Sequence, residues 1–234
     1  MSTVHEDRTL RNKSGIFQDR IDAGNHLAGM LEKDYKGHSQ GMVLAIPSGG
    51  VPIGLALSSS LQMDFDLIIV RKVQIPGNTE AGFGAIALGG EVFCNQELLA
   101  ALRLSQEQID EQVDKVKTEL TLRNALFRND RPLPELKGKT VIIADDGLAS
   151  GYTILAAIDA VRKQGAARVI VAVPTAPSSS ISRVEPQADA IYCANIKDVR
   201  SFAVAEAYRN WWDLTRKEVM ELLTQGIQGG GHSA

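Results

Sequence analysis

Five short apolar runs punctuate this chain: "MVLAI" at 42–46, "FDLIIVRKV" at 65–73, "TVIIA" at 140–144, "RVIVAVP" at 168–174 and "AIYCANI" at 190–196. Runs of this length, apolar on consecutive residues, suit strands covered on both faces. Helical patterns separate them. Residues 17–36 place Ile21, Leu27 and Leu31 among the apolar positions and stop at Gly37, and "VPIGLALSSSL" follows "PSGG". Ile109, Val113, Val116 and Leu120 recur at helical spacing within 105–128, and further helices are predicted over 153–164, 178–186 and 203–224. Strands alternating with helices dictate an α/β fold, doubly wound, with a mostly parallel sheet of about five strands and a small hood. "QIPGNTEAGFG" (74–84) reads as a mobile loop, and "AIALGGEVFCN" (85–95) as two short strands turning at Gly89 and Gly90.

One domain is expected over 1–225, with a core at about 40–200, a hood from 1–36 and/or 197–225, and a flexible tail at 226–234. The formal charge of -3 gives no footprint for nucleic acid or an anionic membrane, so any anion site must be local. Cys94 and Cys193 form no CxxC pair, and the four histidines show no metal-ligand spacing. With no apolar core near the amino terminus and no long apolar run, a cytoplasmic chain is expected.

The chemistry concentrates in "VIIADDGLASGYT" (141–153). Two adjacent carboxylates at the end of a buried strand are costly to desolvate unless they meet hydroxyls, cations or backbone donors. Asp145 and Asp146 suit the vicinal hydroxyls of a ribose, each accepting a charge-assisted bond of roughly 1.5–3 kcal/mol. The loop Gly147, Leu148, Ala149, Ser150, Gly151, Tyr152, Thr153 runs straight into a helix, whose free amides and dipole favour a phosphate. Acid pairs at strand ends also occur in receiver domains of response regulators and in aspartate-bearing metal sites. "GKT" at 138–140 is not a P-loop, because Leu133 stands where its first glycine belongs and a strand follows.

The same stretch resembles the phosphoribosyl pyrophosphate signature of the type I phosphoribosyltransferases. "AIPSGGVPIG" (45–54) is similar to that family's pyrophosphate loop, and "IIVRK" (68–72) to its basic strand end. Together with the F-x-DR near 17–20 and "VRKVQIPGNTEAGFGA", they resemble a less characterised subgroup of predicted phosphoribosyltransferases over roughly residues 15–215.

The resemblance implies transfer of ribose 5-phosphate to a nitrogen nucleophile with loss of pyrophosphate. It implies Asp145, Asp146 and Lys72 as catalytic groups, with residues 147–153 joining the acid pair on the ribose 5-phosphate. Ser48, Gly49, Gly50, Arg71 and Lys72 would take the diphosphate, and Asn78 and Glu80 lie in a closing loop. Mg2+ is implied as cofactor, held largely by substrate oxygens and by Asp145. Phosphoribosyl pyrophosphate and a small-molecule acceptor are the implied partners, and a homodimer is compatible with the family.

Ala149 occupies the position where 6-oxopurine members carry an aspartate, which disfavours the hypoxanthine-guanine type. Phe202, Tyr208, Trp211 and Trp212 are candidates for a stacking hood and equally for core packing. The alternatives kept open are a non-catalytic phosphoribosyl pyrophosphate or nucleotide sensor of the same fold and a plain sugar-phosphate binding module.

Overall fold

The computed structural model describes residues 3–229, apart from the side chains of 79, 80 and 227–229. In chain order it holds β1 (Thr3–His5), α1 (Arg20–Tyr35), β2 (Gly41–Ala45), α2 (Gly50–Leu61), β3 (Asp64–Leu67), β4 (Val70–Ile75), β5 (Asn78–Ala87) and β6 (Val92–Cys94). There follow α3 (Gln96–Leu102), α4 (Gln106–Arg128), β7 (Thr140–Ala144), α5 (Tyr152–Lys163), β8 (Arg168–Pro177), α6 (Ser178–Val184), β9 (Ala190–Lys197) and α7 (Arg216–Gly229).

Six strands form a parallel sheet in the order β1-β9-β8-β7-β2-β3. Strand alternation divides its side chains between two cores. Val141 and Ile143 of β7 join Ile154, Ile158 and Val161 of α5 on one face. Ile142 and Ala144 join Leu27 and Leu31 of α1 and Ile53 and Leu57 of α2 on the other. The chain therefore crosses to opposite faces after β2 and after β7, which are hydrogen-bonded neighbours. That reversal point is where a doubly wound sheet opens a crevice at its carboxyl edge.

The expected sheet of about five strands has a sixth, because Thr3–His5 pairs along the edge of β9. The single strand expected at 65–73 is two. Ile68 still donates to the Ala45 carbonyl, at 3.0 Å, but Leu88 already donates to Ile69 at 2.9 Å, so the chain leaves one sheet and enters another. The stretch 74–84, read as a loop, is largely strand: β4 and β5 pair antiparallel across a turn at Pro76 and Gly77. Proline followed by a glycine at φ 75° is the sequence that a type II turn requires. β6 completes this second sheet, and β5 and β6 turn through Gly89 and Gly90 as expected.

The terminal region expected to be helical over 203–224 has only a 3-10 turn at Val204–Ala207 before α7 begins at Arg216. Of the flexible tail expected at 226–234, residues 226–229 instead form the end of α7, and the rest lies outside the described residues. No described helix is long and apolar enough to cross a membrane.

The antiparallel sheet is held between two helices. Val70, Ala85 and Ala87 face the core that contains α5, while Val73, Phe83 and Ile86 meet Val113, Val116 and Leu120 of α4. Arg128 at the end of α4 is fully buried, and it donates twice to Asp66 on β3, at 2.9 and 2.7 Å. Its remaining donors reach Asn124 Oδ1 and the carbonyls of Arg131 and Pro132. Removing one member of such a pair strands a buried charge, so Arg128→Ala should cost about 3 kcal/mol of stability. An unchanged urea midpoint would contradict that.

Candidate functional site

The acid pair and the "PSGG" turn meet at the reversal point. β7 ends at Ala144, and Asp145 and Asp146 follow, half-buried, with the Asp146 amide donating to Asp145 Oδ1 at 2.9 Å. Beside them, Ile46 donates to the Ala144 carbonyl, and Pro47–Ser48 is a cis peptide.

Two glycines allow the turns to lie against each other. A Cβ on Gly50 would stand 2.6 Å from the Ala144 carbonyl oxygen, and one on Gly49 would stand 1.8 Å from Asp146 Oδ2. Backbone and carboxylate leave no room for any side chain there.

Both neighbouring helices begin without a side-chain cap. α2 starts after Gly49, and α5 after Gly151, which sits at φ 88°. Among the described residues, the amides of Ala149, Ser150, Gly151, Tyr152 and Thr153 find no acceptor. The loop's carbonyls are spoken for: Ser180 Oγ donates to Ala149, and Arg183 donates to Ser150 at 2.6 Å. Leu148 anchors the loop in the core, its amide on the Thr175 carbonyl. Ala149 and Ser150 are exposed, Tyr152 and Thr153 half-buried. Unpartnered amides at a helix start favour an anion.

Arg20, the first residue of α1, is 5% exposed and donates through Nε to Asp146 Oδ2 at 2.8 Å. Its Nη1 reaches the Trp212 carbonyl at 2.9 Å, and its guanidinium lies 3.9 Å from the centre of the Trp211 ring. Tyr208 donates its hydroxyl to the Asp146 carbonyl at 2.5 Å, and Val204 packs over Gly147. Residues 204–212 thus close over the acid pair as a hood. Only the F-x-DR motif pointed towards Arg20. Of the four hood aromatics, Tyr208 is buried in the core, Trp211 is half-buried against Arg20, and Trp212 is 47% exposed with its indole nitrogen on Glu218. Phe202 is half-buried.

Burial first, and the charge of Asp146 second, push the Asp145 carboxyl well above the ordinary carboxylate value. Burial also raises Asp146, but Arg20 opposes it.

The basic strand end divides. Arg71 and Lys72 are adjacent on β4 and so face opposite sides. Arg71 turns to α4 and pairs with Glu119 at 2.9 Å, whereas Lys72 shares the face of Val70 and runs its stem over Gly82. Ser48 is half-buried at the turn. Asn78 opens β5, its side-chain oxygen accepting from the Ala81 amide at 3.0 Å. The Glu80 side chain lies outside the described residues. A cleft of about 550 Å³ at the β1 edge, lined in part by His5, Arg8 and Arg11, is a separate feature. Its Arg11 is already paired with Glu6 and Asp198.

A family model described as the phosphoribosyl transferase domain matches residues 16–210. The chain belongs to this family. It is 35% identical over 208 residues to a Mycobacterium tuberculosis protein named "Putative phosphoribosyl transferase Rv0571c", covering 89% of this chain and 46% of that one. This phosphoribosyl transferase chain therefore spans about half the length of the curated relatives it matches. Protein TT1426 from Thermus thermophilus superposes with a TM-score of 0.72 at 31% identity, over 89% of this chain and 98% of that one. The Aquifex aeolicus protein AQ2163 shares the fold at a TM-score of 0.50 and 15% identity, over 81% and 78% of the two chains.

The raised Asp145 carboxyl binds a proton more tightly in the folded chain than in the unfolded one. Its burial therefore opposes folding above the folded value, and that penalty disappears as pH falls below the ordinary 3.8. Asp145→Asn should accordingly raise stability at neutral pH, a gain that vanishes in acid. Thermal unfolding followed against pH tests this, and a gain that persists below the carboxylate range would contradict it.

Proposed function

We propose that the protein is a phosphoribosyltransferase that moves the ribose 5-phosphate of phosphoribosyl pyrophosphate to a nitrogen nucleophile, a nucleobase or related acceptor, and releases pyrophosphate. The observation that carries this reading is the half-buried acid pair at the sheet's reversal point, flanked by two helix starts led by glycine and lacking side-chain caps. Family membership supports the chemistry in general terms. Residues 1–225 are taken as one phosphoribosyltransferase-like domain.

In the proposed reaction the bond from C1 to the diphosphate oxygen breaks and a bond from C1 to the acceptor nitrogen forms. Positive charge grows on the ribose and negative charge on the departing group, so placement and fixed electrostatics do most of the work. Asp145 and Asp146 accept from the ribose hydroxyls and lie beside the developing positive charge. The amides of residues 149–153 and the Thr153 hydroxyl hold the 5′-phosphate. The amides of Ser48 and Gly49, with Lys72, receive the diphosphate, the Gly50 amide being held by the Ile46 carbonyl at 3.0 Å, while Arg71 supports the outer side of β4 through Glu119.

Mg2+ fits this donor set. Among the described residues no group of three or more His, Cys, Asp or Glu side chains is gathered to hold a metal. A single carboxylate, Asp145, added to substrate oxygens and water is the pattern this hard cation prefers. When bound, it would neutralise diphosphate charge. Ala149 disfavours an acceptor of the hypoxanthine-guanine type, and a homodimer in the cytoplasm is the proposed setting.

The decisive assay is pyrophosphate release from phosphoribosyl pyrophosphate and Mg2+, screened across nitrogen bases. Asp145→Asn should lower turnover roughly 10²-fold, equivalent to about 2.7 kcal/mol of lost transition-state stabilisation. Wild-type rates in that variant would refute the assigned role. Tight donor binding with no release for any base would favour the sensor instead.

A further inference from the structure

Arg20 joins three parts of the molecule that no other described side chain joins: the first turn of α1, the carboxylate of Asp146, and the hood at Trp211 and Trp212. Its geometry is that of a planar fork used on two sides. Nε holds the carboxylate oxygen at 2.8 Å, Nη1 holds the Trp212 carbonyl at 2.9 Å, and the guanidinium carbon lies over the Trp211 ring, 3.9 Å from its centre. A lysine can offer the charge but neither the fork nor the stacked plane. On its other side, the same Asp146 carboxylate rests against Gly49, where no Cβ fits. The carboxylate is therefore clamped between Arg20 and the turn that leads into α2. Its own backbone carbonyl is held by Tyr208 from the hood.

We propose that Arg20 is a positioning residue that fixes the Asp146 carboxylate for the ribose hydroxyls and transmits occupancy of that carboxylate to Trp211 in the hood, where the acceptor must approach. The proposal rests on the phosphoribosyltransferase reading and extends it. The acid pair is thereby unequal: Asp145 has no arginine, and Asp146 is the member wired to the hood. Arg20 holds Oδ2 of that carboxylate, so a ribose hydroxyl donating to the same oxygen meets the guanidinium there. The guanidinium must then readjust, and Trp211 moves with it.

The test uses the full chain with Trp212→Phe as background, leaving Trp211 as the one tryptophan, since the sequence holds two. Phosphoribosyl pyrophosphate with Mg2+ and inorganic pyrophosphate alone are the probes, read by calorimetry and by tryptophan emission. Arg20→Met should weaken phosphoribosyl pyrophosphate binding about 10- to 100-fold and abolish the ligand-linked change in emission. It should leave pyrophosphate affinity within about twofold, because that ligand makes no ribose contact. Arg20→Lys should recover part of the affinity but not the emission change, and adding Asp146→Asn to Arg20→Met should weaken binding no further than Asp146→Asn alone.

A purely structural role predicts instead an equal loss for both probes. Additive losses, an equal loss for both probes, or an intact emission change in Arg20→Met would each overturn the proposal. Should Arg20→Met not fold, the same cycle built on Arg20→Lys carries the test. Parent protein that binds no phosphoribosyl pyrophosphate removes the functional reading itself, whereas parent binding with an unaltered Arg20→Met removes only this inference.

Discussion

A carboxylate pair placed at the end of a fully buried strand has to be surrounded before the fold can close, and here the ion pair between Arg20 and Asp146 does most of that. It ties α1 to the carboxyl edge of the sheet, and through the Trp212 carbonyl it ties the hood to both. The pair is nearly dry, with side-chain exposures of 6% and 15%, so its geometry matters more than it would at the surface. Asp145 receives no such partner and keeps the cost of its burial. A residue that opposes folding where it stands is the usual mark of a site kept for binding or chemistry rather than for stability.

The crevice owes its shape to backbone meeting backbone. Gly50 lies on the Ala144 carbonyl and Gly49 on the Asp146 carboxylate, so the start of α2 is drawn against the end of β7 at the point where the chain reverses. An anion at the loop before α5 would face the free amides of residues 149–153, with little side-chain flexibility to be lost on binding. This is how a chain with a net charge of -3 can still offer a local seat for phosphate and diphosphate.

Strands flanked by long helical patterns were plain from the sequence, since a run such as "TVIIA" has few other uses in a doubly wound domain. The acid pair and the loop after it were equally plain, because their whole arrangement is local. What could not be read was long-range or depended on which sheet a residue joined. Arg20 and Asp146 are 126 residues apart, and nothing near either one names the other. β1 is three residues with little apolar character, and it exists only because β9 offers an edge. The continuous run at 65–73 hides a change of sheet, as Ile68 still donates to Ala45 of β2 while the Ile69 carbonyl already accepts from Leu88. Adjacent Arg71 and Lys72 looked like one basic cluster, yet a strand sends neighbours to opposite sides.

That last point bears on how this region can change length. Between Ile69 and Val73 the apolar side chains alternate between two faces, α5 on one side and α4 on the other, before the register shifts at Gln74. Adding or deleting a single residue there would exchange the two cations, carrying Arg71 away from Glu119 and Lys72 away from its place over Gly82. Pairs of residues, or changes confined to the turn at Pro76 and Gly77, leave the assignment intact. Variation in the hairpin's reach should thus come in even steps or at its tip, and the strand beneath should hold its count.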